Sequence, residues 1–361
     1  MPANRPIQPN WPVANISIPA IRTTNMAHSS GQHVPLNRHH HPSPPDVPDV
    51  ERILRIQSQV EGVGSRFQAT ICGIRGLREI TWWSHADAAW VQAGRLIRVS
   101  GNTPHGQLVD GVFPVARVAY LSQVEPDVNL LDTVPRSWQP ESGRGQENKW
   151  VEGFNGLWEQ LSRRMRAWFN ALFWHHPRRL HRFLTTPASM KHHHARKHGL
   201  FIHSVDCALR ALGSSQHDHL VNTEVLLMAA LLHDVGKAEE YIWNERHGQW
   251  KLSDRGALIG HKLTTLEWMA AARVALPSED APDENRVVAV NHAIHACHAP
   301  DWVGLRLPRT PEAFYLASVD GLSGHCDLIA THALLNRSPG RYHPTFRGGA
   351  YVIGKSQTRM V

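Results

Sequence analysis

Cysteine is scarce in this chain of 361 residues, and the few cysteines do not cluster. The four copies are far apart and form no CxxC pair, which argues against a cysteine zinc site and fits a reducing compartment. Long apolar runs are also lacking, since the longest, from Val225 to Leu232, is too short to cross a bilayer. With no signal peptide visible, we expect a soluble, cytoplasmic protein that binds no membrane.

Acidic residues are outnumbered, and the imbalance is local. The formal net charge is +7, and residues 151–197 alone contain nine Lys or Arg against two Glu. Such an excess favours an anionic partner without identifying it. Histidine, in contrast, is abundant, with 26 copies. Because neutral imidazole is the commonest metal ligand, this composition directs attention to a metal site.

The pattern of the sequence predicts a multidomain chain, with a small all-β barrel followed by an all-α domain. Short β-rich runs punctuated by glycine, with a predicted helix over 84–91 between the third and fourth runs, follow the plan of an OB-fold. Apolar residues at three- and four-residue steps then predict helices. The expected parts are a disordered tail (1–48), an OB-like domain (49–122), a polar linker (123–150), a helical domain (151–336) and an irregular tail (337–361).

The clearest sign of chemistry is the adjacent pair His233-Asp234 at the end of an apolar stretch. Burying both side chains is costly unless they bind something, and neighbouring ligands of this kind can share a divalent cation. A polar pair at a helix end, with Gly236 as the stop signal, is the alternative. His203 upstream and Asp320 downstream complete the order His…His-Asp…Asp, which is the signature of HD-domain proteins.

Two glycines, Gly321 and Gly324, follow Asp320 inside one predicted helix. A glycine within a helix costs ~1 kcal/mol relative to alanine. We therefore expect a neighbouring element or a substrate to approach the helix closely beside Asp320.

Further histidines predict a second metal position. His261 is one candidate ligand, and His292, His295 and His298 follow at three-residue steps. Such steps drift about 60° around a helix, so at most two adjacent members can bind one ion. We favour His298, with His292 as the weaker candidate and His295 as a solvated or supporting residue.

Candidate contacts to nucleic acid are aromatic and basic. Phe67 and one of Trp82 and Trp83 could stack on bases, and strand alternation lets only one of the two tryptophans face outward, for which we take Trp83. Core packing is the alternative for all three. The expected phosphate contacts are Arg163, Arg164, Arg166, Arg178 and Arg179.

Residues from about 157 to 335 resemble the YhaM-like 3′-to-5′ exoribonuclease family, in which an OB domain precedes an HD domain. The matched pieces are 193–195, 199–204, 231–237 and 252–261, and the last is the most discriminating. Two places depart from the family pattern. Cys297-His298-Ala299 stands where consecutive histidines and a glycine are usual, and His198-Gly199 stands where two glycines are usual.

The resemblance implies a metal-dependent hydrolase, a nuclease that degrades single-stranded RNA or DNA and most simply a 3′-to-5′ exoribonuclease. One or two divalent ions are expected, with Mn²⁺ favoured over Mg²⁺ or Fe²⁺, and Lys237 and His194 are expected to stabilise charge on the phosphate. The predicted metal ligands are His203, His233, Asp234 and Asp320, with His261, His298 and the weaker His292 at a second position.

Other functions stay open. The alternatives are an HD-type relaxase or DNA nuclease of a conjugative element, a nucleotide phosphohydrolase, and a nucleic-acid binder with a vestigial site. Assembly into a homo-oligomer is also left open.

Overall fold

The computed structural model describes residues 52–56, 61–63, 66–73, 76–83, 93–102, 113–141, 148–296, 306–333 and 340–352. The tail predicted over 1–48 and the helix predicted over 84–91 lie outside these residues, as does His298.

A six-stranded sheet forms over the β-rich region. Each of the five predicted runs contains a strand, and a short additional strand precedes the second run. The strands are β1 (Arg52–Ile56), β2 (Glu61–Val63), β3 (Arg66–Gly73), β4 (Gly76–Trp83), β5 (Leu96–Asn102) and β6 (Phe113–Tyr120). Their order is β1-β5-β6-β4-β3-β2, β1 pairs with β3 as well as β5, and only the pairing of β4 with β6 is parallel.

The sheet has its own apolar core, built by alternation along the strands. Ile71 on β3 and Ile80 and Trp82 on β4 are buried there, together with Ile97 on β5. Trp83, the neighbour of Trp82, is 49% exposed. The alternation of side chains along a strand therefore separates the two tryptophans, with one in the core and one at the surface.

Ten helices follow among the described residues. They are α1 (Lys149–Glu159), α2 (Arg163–Phe173), α3 (Pro177–Thr185), α4 (Gly199–Ser215), α5 (Thr223–Leu232), α6 (Lys237–Glu240), α7 (Asp254–Leu258), α8 (Gly260–Val274), α9 (Glu284–His295) and α10 (Pro311–His332). The apolar pattern that runs from Leu157 to Phe173 crosses two of them, because the chain is extended at Ser162, the N-cap of α2. Asn222 caps α5 and Thr310 caps α10, each by accepting a backbone N–H.

Helix α5 lies at the centre of the helical domain. All residues from Val225 to Leu232 are buried, so this helix is apolar on every side. It packs against α4, α9 and α10, and α4 also contacts α1 and α3. The polar pair that follows α5 therefore enters the interior at the point where α4 and α10 meet it.

The segment predicted as a polar linker packs on the helical domain. Leu130 and Leu131, in a short 3₁₀ helix (Leu130–Thr133), are buried in the same core as α2 and α5. The buried side chain of Asn170 donates hydrogen bonds to the carbonyls of Glu125 and Val128, each at 2.9 Å. Trp174 donates to the carbonyl of Leu121 at 3.0 Å, so the end of the sheet region is fixed to the helices.

Two short hairpins complete the described fold. β7 (Tyr241–Asn244) pairs antiparallel with β8 (Gln249–Leu252) directly after α6, and β9 (Tyr342–His343) pairs with β10 (Gly348–Gly349) near the C-terminal end. Among the residues described, no helix has the length and apolar character needed to span a membrane.

The role of Asn170 can be tested through stability. Replacing Asn170 by Ala leaves the half-buried carbonyls of Glu125 and Val128 without this donor, which should lower the free energy of unfolding by ~2–4 kcal/mol. Urea denaturation followed by circular dichroism measures this. Gln160→Ala, which removes an exposed amide, is the control and should change stability by less than ~0.5 kcal/mol. Equal effects of the two substitutions would contradict the account of this junction.

Candidate metal centre

Four of the predicted ligands converge where α4, α5 and α10 meet. The Nε2 atoms of His203 and His233 lie 3.3 Å apart. The Oδ1 atom of Asp320 is 3.1 Å from Nε2 of His203, and the Oδ2 atom of Asp234 is 3.4 Å from Nε2 of His233. We call His203, His233, Asp234 and Asp320 the HD cluster.

The ring orientations direct lone pairs into the HD cluster. Nδ1 of His233 lies 2.9 Å from the carbonyl of Ala230, a pure acceptor, so this nitrogen carries the proton. Nε2 of His233 then presents a lone pair to His203 and to two carboxylates. Such a concentration of acceptors is unfavourable unless a cation lies among them, and that cation can be a metal ion or a proton.

The protonation equilibria reflect this crowding of acceptors. Burial disfavours charged His233, yet the carboxylates of Asp234 and Asp320 raise its pKa to about 9. Burial alone would raise the pKa of Asp234, but Lys237 and His233 hold that pKa well below its usual range. Burial also opposes ionisation of Asp320, whose pKa is lowered by a hydrogen bond with His203 and the charge of His233. Without a metal, positive charge is thus supplied by protonated side chains.

A cavity of about 460 Å³ opens above the HD cluster. Asp320, with 46% of its side chain exposed, belongs to the cavity wall, whereas His203 is fully buried behind it. The other polar lining residues can donate hydrogen bonds or carry positive charge, and they are Ser189, His192, His193, Lys237, Tyr241, His261, His325 and Thr345. The cavity therefore suits an anionic group placed next to the candidate metal ligands.

Lys237 and His261 lie on either side of Asp234. Nζ of Lys237 is 2.6 Å from Oδ2 of Asp234, and Nε2 of His261 is 3.5 Å from Oδ1. Glu240 accepts from Nδ1 of His261 at 2.7 Å, so Nε2 is the nitrogen that faces the Asp234 carboxylate. Nε2 of a neutral His261 and the Asp234 carboxylate can therefore share a second cation.

Two glycines allow the close approaches that build the site. A Cβ on Gly236 would lie 2.2 Å from the carbonyl oxygen of His261, so only glycine lets the turn after Asp234 reach α8. A Cβ on Gly324 would lie 2.8 Å from Nδ1 of His193. The neighbour expected beside Asp320 is therefore the imidazole of His193, and Gly321 faces open space.

The structure places several predicted residues away from the cavity. His292 accepts from the backbone N–H of Arg309 at 3.0 Å, and His295 lies between the carbonyls of Asn291 and Lys262. His194 is buried behind His203, whereas its neighbour His193 lines the cavity.

The predicted arginines make contacts within the protein. Arg163 is paired with Asp127 and Asp280. Arg166 donates to the carbonyls of Trp158 and Glu159, and Arg164 to that of Glu279. Arg179 lies 3.8 Å above the ring of Trp268, and Arg178 is exposed. Their contact with phosphate stays a prediction.

Sequence reasoning missed several polar residues that lie beside the HD cluster without belonging to it. Ser323 and Asp327 follow Asp320 by three and seven positions on α10, a spacing that places all three on one helix face. Cys207, one turn after His203, forms a group with His203, His233 and Asp320 in which all the ligand atoms lie within 4.8 Å of one another. Burial raises the pKa of the Cys207 thiol well above its ordinary value, so the thiol packs as a neutral neighbour.

The fold and site together define a helical domain with a His/Asp cluster able to hold a metal ion. Proteins named 3′-5′ exoribonuclease YhaM, from Listeria welshimeri and Bacillus licheniformis among others, are 27% identical to it over 161 residues. The match covers 44% of this chain and 49% of each relative, so the chain spans about half the length of the curated relatives that it matches. No family model and no solved structure matches. These distant relatives support the family resemblance drawn from the motifs.

Metal binding at the HD cluster should release a proton. His233, with its pKa raised to about 9, is protonated in the metal-free protein at neutral pH and must lose that proton before Nε2 can bind a metal. We expect Mn²⁺ binding to tighten as the pH rises toward 9.

Calorimetry in buffers of different ionisation enthalpy measures the proton release, and roughly one proton per ion is expected at about pH 7.5. Affinity that is independent of pH above about 7.5, as for a histidine with the ordinary pKa of ~6.5, would contradict this coupling.

Proposed function

We propose that this chain is a metal-dependent phosphodiesterase that degrades single-stranded nucleic acid from the 3′ end, with RNA as the substrate. The observation that carries the proposal is the HD cluster at the base of a cavity whose other polar lining residues can donate hydrogen bonds or carry positive charge. Asp320 is the one acidic residue among the described lining residues. A phosphodiester can therefore enter the cavity beside the metal ligands without meeting other carboxylates.

The donor set fits a divalent cation with mixed nitrogen and oxygen preference. Imidazole suits Zn²⁺, Fe²⁺ and other transition metals, carboxylates suit Mn²⁺ and Mg²⁺, and we favour Mn²⁺. When bound here, a divalent cation would supply an activated water and polarise a phosphoryl oxygen. His203, His233, Asp234 and Asp320 would hold it, and Lys237 would neutralise charge on the phosphate.

The carboxylate of Asp234 can serve two positions. Its Oδ2 atom faces His233 and Lys237, and its Oδ1 atom faces His261. A second ion on the Oδ1 side, with Nε2 of His261 as a ligand, is part of the proposal. The other predicted ligand of that ion, His298, lies outside the described residues.

The size of the cavity favours cleavage at the end of a nucleic-acid strand. Its volume of about 460 Å³ is within the ~300–1,000 Å³ of small-molecule pockets, which suits one terminal nucleotide rather than a duplex. The names of the relatives describe those proteins as 3′-5′ exoribonucleases. We extend that polarity and the RNA substrate to this chain as part of the proposal.

We infer that the nucleic-acid strand leaves the cavity along the hairpin of β7 and β8, which carries aromatic side chains. Tyr241 on β7 lines the cavity, and Trp243, two residues along the same strand face, is 45% exposed. Trp243 pairs across the hairpin with Trp250, with ring centroids 5.5 Å apart. We propose that bases following the terminal nucleotide stack on this pair, because such stacking tolerates any sequence.

We propose that the six-stranded sheet is an OB-type module that binds the strand farther from the cavity. The strand order, with β4 and β6 parallel and β1 contacting both β3 and β5, supports this. Trp83 is exposed, and the Arg66 guanidinium lies 5.9 Å from its ring centroid. Phe67 stacks on buried Trp82 instead, with ring centroids 5.7 Å apart, and is only half-buried itself.

The nuclease activity is tested with end-labelled single-stranded RNA and DNA, in Mn²⁺, Mg²⁺ or EDTA. We expect stepwise shortening of RNA from the 3′ end, and none in EDTA. Asp234→Asn should reduce the rate by more than the ~10–100-fold typical of losing an outer partner of a metal ligand. Glu279→Gln, an exposed carboxylate on the loop before α9, is the matched control. Internal cleavage, or hydrolysis of free nucleotides alone, would refute the proposal.

The two aromatic surfaces are tested with point variants, since removing the sheet would expose the shared core around Leu96 and Leu121. Trp243→Ala and Trp83→Ala should each raise KM for a long RNA ~5–100-fold, because base stacking is worth ~1–3 kcal/mol per base. Hydrolysis of a p-nitrophenyl phosphodiester should stay unchanged. Phe314→Ala, another exposed aromatic residue, is the control. An unchanged KM for long RNA would assign these tryptophans another role.

A further inference from the structure

A line of buried polar groups connects Asp327 to the HD cluster through His194 and Ser323. The Oγ atom of Ser323 is 3.1 Å from Nδ1 of His203 and 3.2 Å from Nε2 of His194. Nδ1 of His194 is 3.3 Å from Oδ1 of Asp327. Ser323 and His194 are buried, so these groups have each other rather than water as partners.

The nitrogen that carries the proton in each imidazole of this line can be derived by starting from His203, at the HD cluster. Nε2 of His203 faces Asp320 and His233, so a metal ion there requires its lone pair, and the proton must be on Nδ1. Nδ1–H then donates to Ser323, and the single hydroxyl proton of Ser323 is free to donate to Nε2 of His194. His194 must therefore carry its own proton on Nδ1, next to the Asp327 carboxylate.

Asp327 is fixed as an ionised acceptor at the other end. Its Oδ2 atom accepts the backbone N–H of His194 at 2.5 Å, and its Oδ1 atom is 2.7 Å from Nη1 of Arg196. The carboxylate thus holds the backbone of His194 and lies beside its ring. Asp327 is located seven residues after Asp320 on α10. The same helix therefore carries a proposed metal ligand, Asp320, and the carboxylate at the far end of the line that leads to His203.

The backbone of His194 is in an unfavourable conformation. Its φ is 48°, in the left-handed region that non-glycine residues rarely adopt. Its Nδ1 atom is also buried without a well-aligned hydrogen bond in this structure. A strained backbone and a buried polar atom such as Nδ1 without a well-aligned partner are kept only where the surrounding structure enforces them. Both features at His194 point to a role for its ring beyond packing.

We propose that Asp327, His194 and Ser323 form a positioning relay that fixes His203 with its proton on Nδ1 and its Nε2 lone pair toward the metal ion. The inference rests on the proposed metal site and gives a role to three residues that are not predicted metal ligands. Metal-bound histidines commonly donate their other ring N–H to a carboxylate. Here the carboxylate acts at a distance, through one imidazole and one hydroxyl. His194 is accordingly a positioning residue.

Metal affinity of the full chain is the first test. Ser323→Ala removes the hydroxyl that both imidazoles use, and its affinity for Mn²⁺ should fall ~10–100-fold by calorimetry. Ser318→Ala is the matched control, because Ser318 is on the same helix with an exposed hydroxyl bonded to the carbonyl of Phe314. The control should bind Mn²⁺ as the wild type does.

The imidazole tautomers are the second test and separate positioning from simple packing. Nitrogen NMR of the protein loaded with diamagnetic Zn²⁺ should show His194 protonated at Nδ1 and not at Nε2. Asp327→Asn, which keeps the volume of the side chain, should change that tautomer and weaken Mn²⁺ binding. If circular dichroism shows that Ser323→Ala fails to fold, Asp327→Asn takes its place in the measurement of Mn²⁺ affinity.

The outcomes distinguish the relay from the metal site itself. A wild-type chain that takes up no metal would overturn both. Normal uptake by the wild type together with unchanged affinity in Ser323→Ala, or a proton on Nε2 of His194, would overturn the relay alone and leave the proposed function in place.

Discussion

The structure depends on one electrostatic constraint, which is the need for positive charge among the acceptors of the HD cluster. Two imidazole nitrogens only 3.3 Å apart and two carboxylates meet at the end of an apolar helix. In a buried environment such acceptors repel each other strongly unless a cation joins them. A proton on His233 and the ammonium of Lys237 supply this charge in the metal-free protein, and a divalent ion would supply it more completely.

The helical domain is arranged so that this constraint is met at one place. Helix α5 carries no polar residue between Val225 and Leu232, so the first polar side chains after it enter the interior together. Helices α4 and α10 bring one proposed ligand each, and Gly236 lets the following turn approach α8 and His261. The sheet joins the same unit through Leu121 and Trp174, which keeps a candidate binding surface at a fixed position relative to the helices.

The closeness of His203, His233, Asp234 and Asp320 could be predicted from the sequence, whereas the buried polar residues packed beside them could not. An adjacent His-Asp pair after an apolar run has few structural uses, so His233 and Asp234 stand out, and His203 and Asp320 follow from their order. Ser323 and Asp327 are ordinary residues of an amphipathic helix, and their partner His194 comes from a loop more than a hundred positions away. Local patterns do not encode such pairings, which arise only when the loop folds onto α10.

In the basic segment, the sequence did not predict the contacts that the arginines make within the protein. Its charge predicted phosphate contacts, yet Arg163 and Arg166 are paired with Asp127, and Arg179 stacks on Trp268. The net charge of a sequence segment does not distinguish arginines that bind other parts of the protein from arginines that are free to bind a ligand. The alternation of Trp82 and Trp83, in contrast, is a property of any strand, and it correctly predicted that one is buried and the other exposed.

The proposed function requires a divalent ion at the HD cluster. Anomalous diffraction from a crystal of the full chain soaked in Mn²⁺ can detect that ion. We predict a peak within ~2–2.4 Å of Nε2 of His203 and His233 and of a carboxylate oxygen of Asp234 and Asp320. A soaked crystal with no peak among these four side chains, or with manganese bound only elsewhere, would contradict the account.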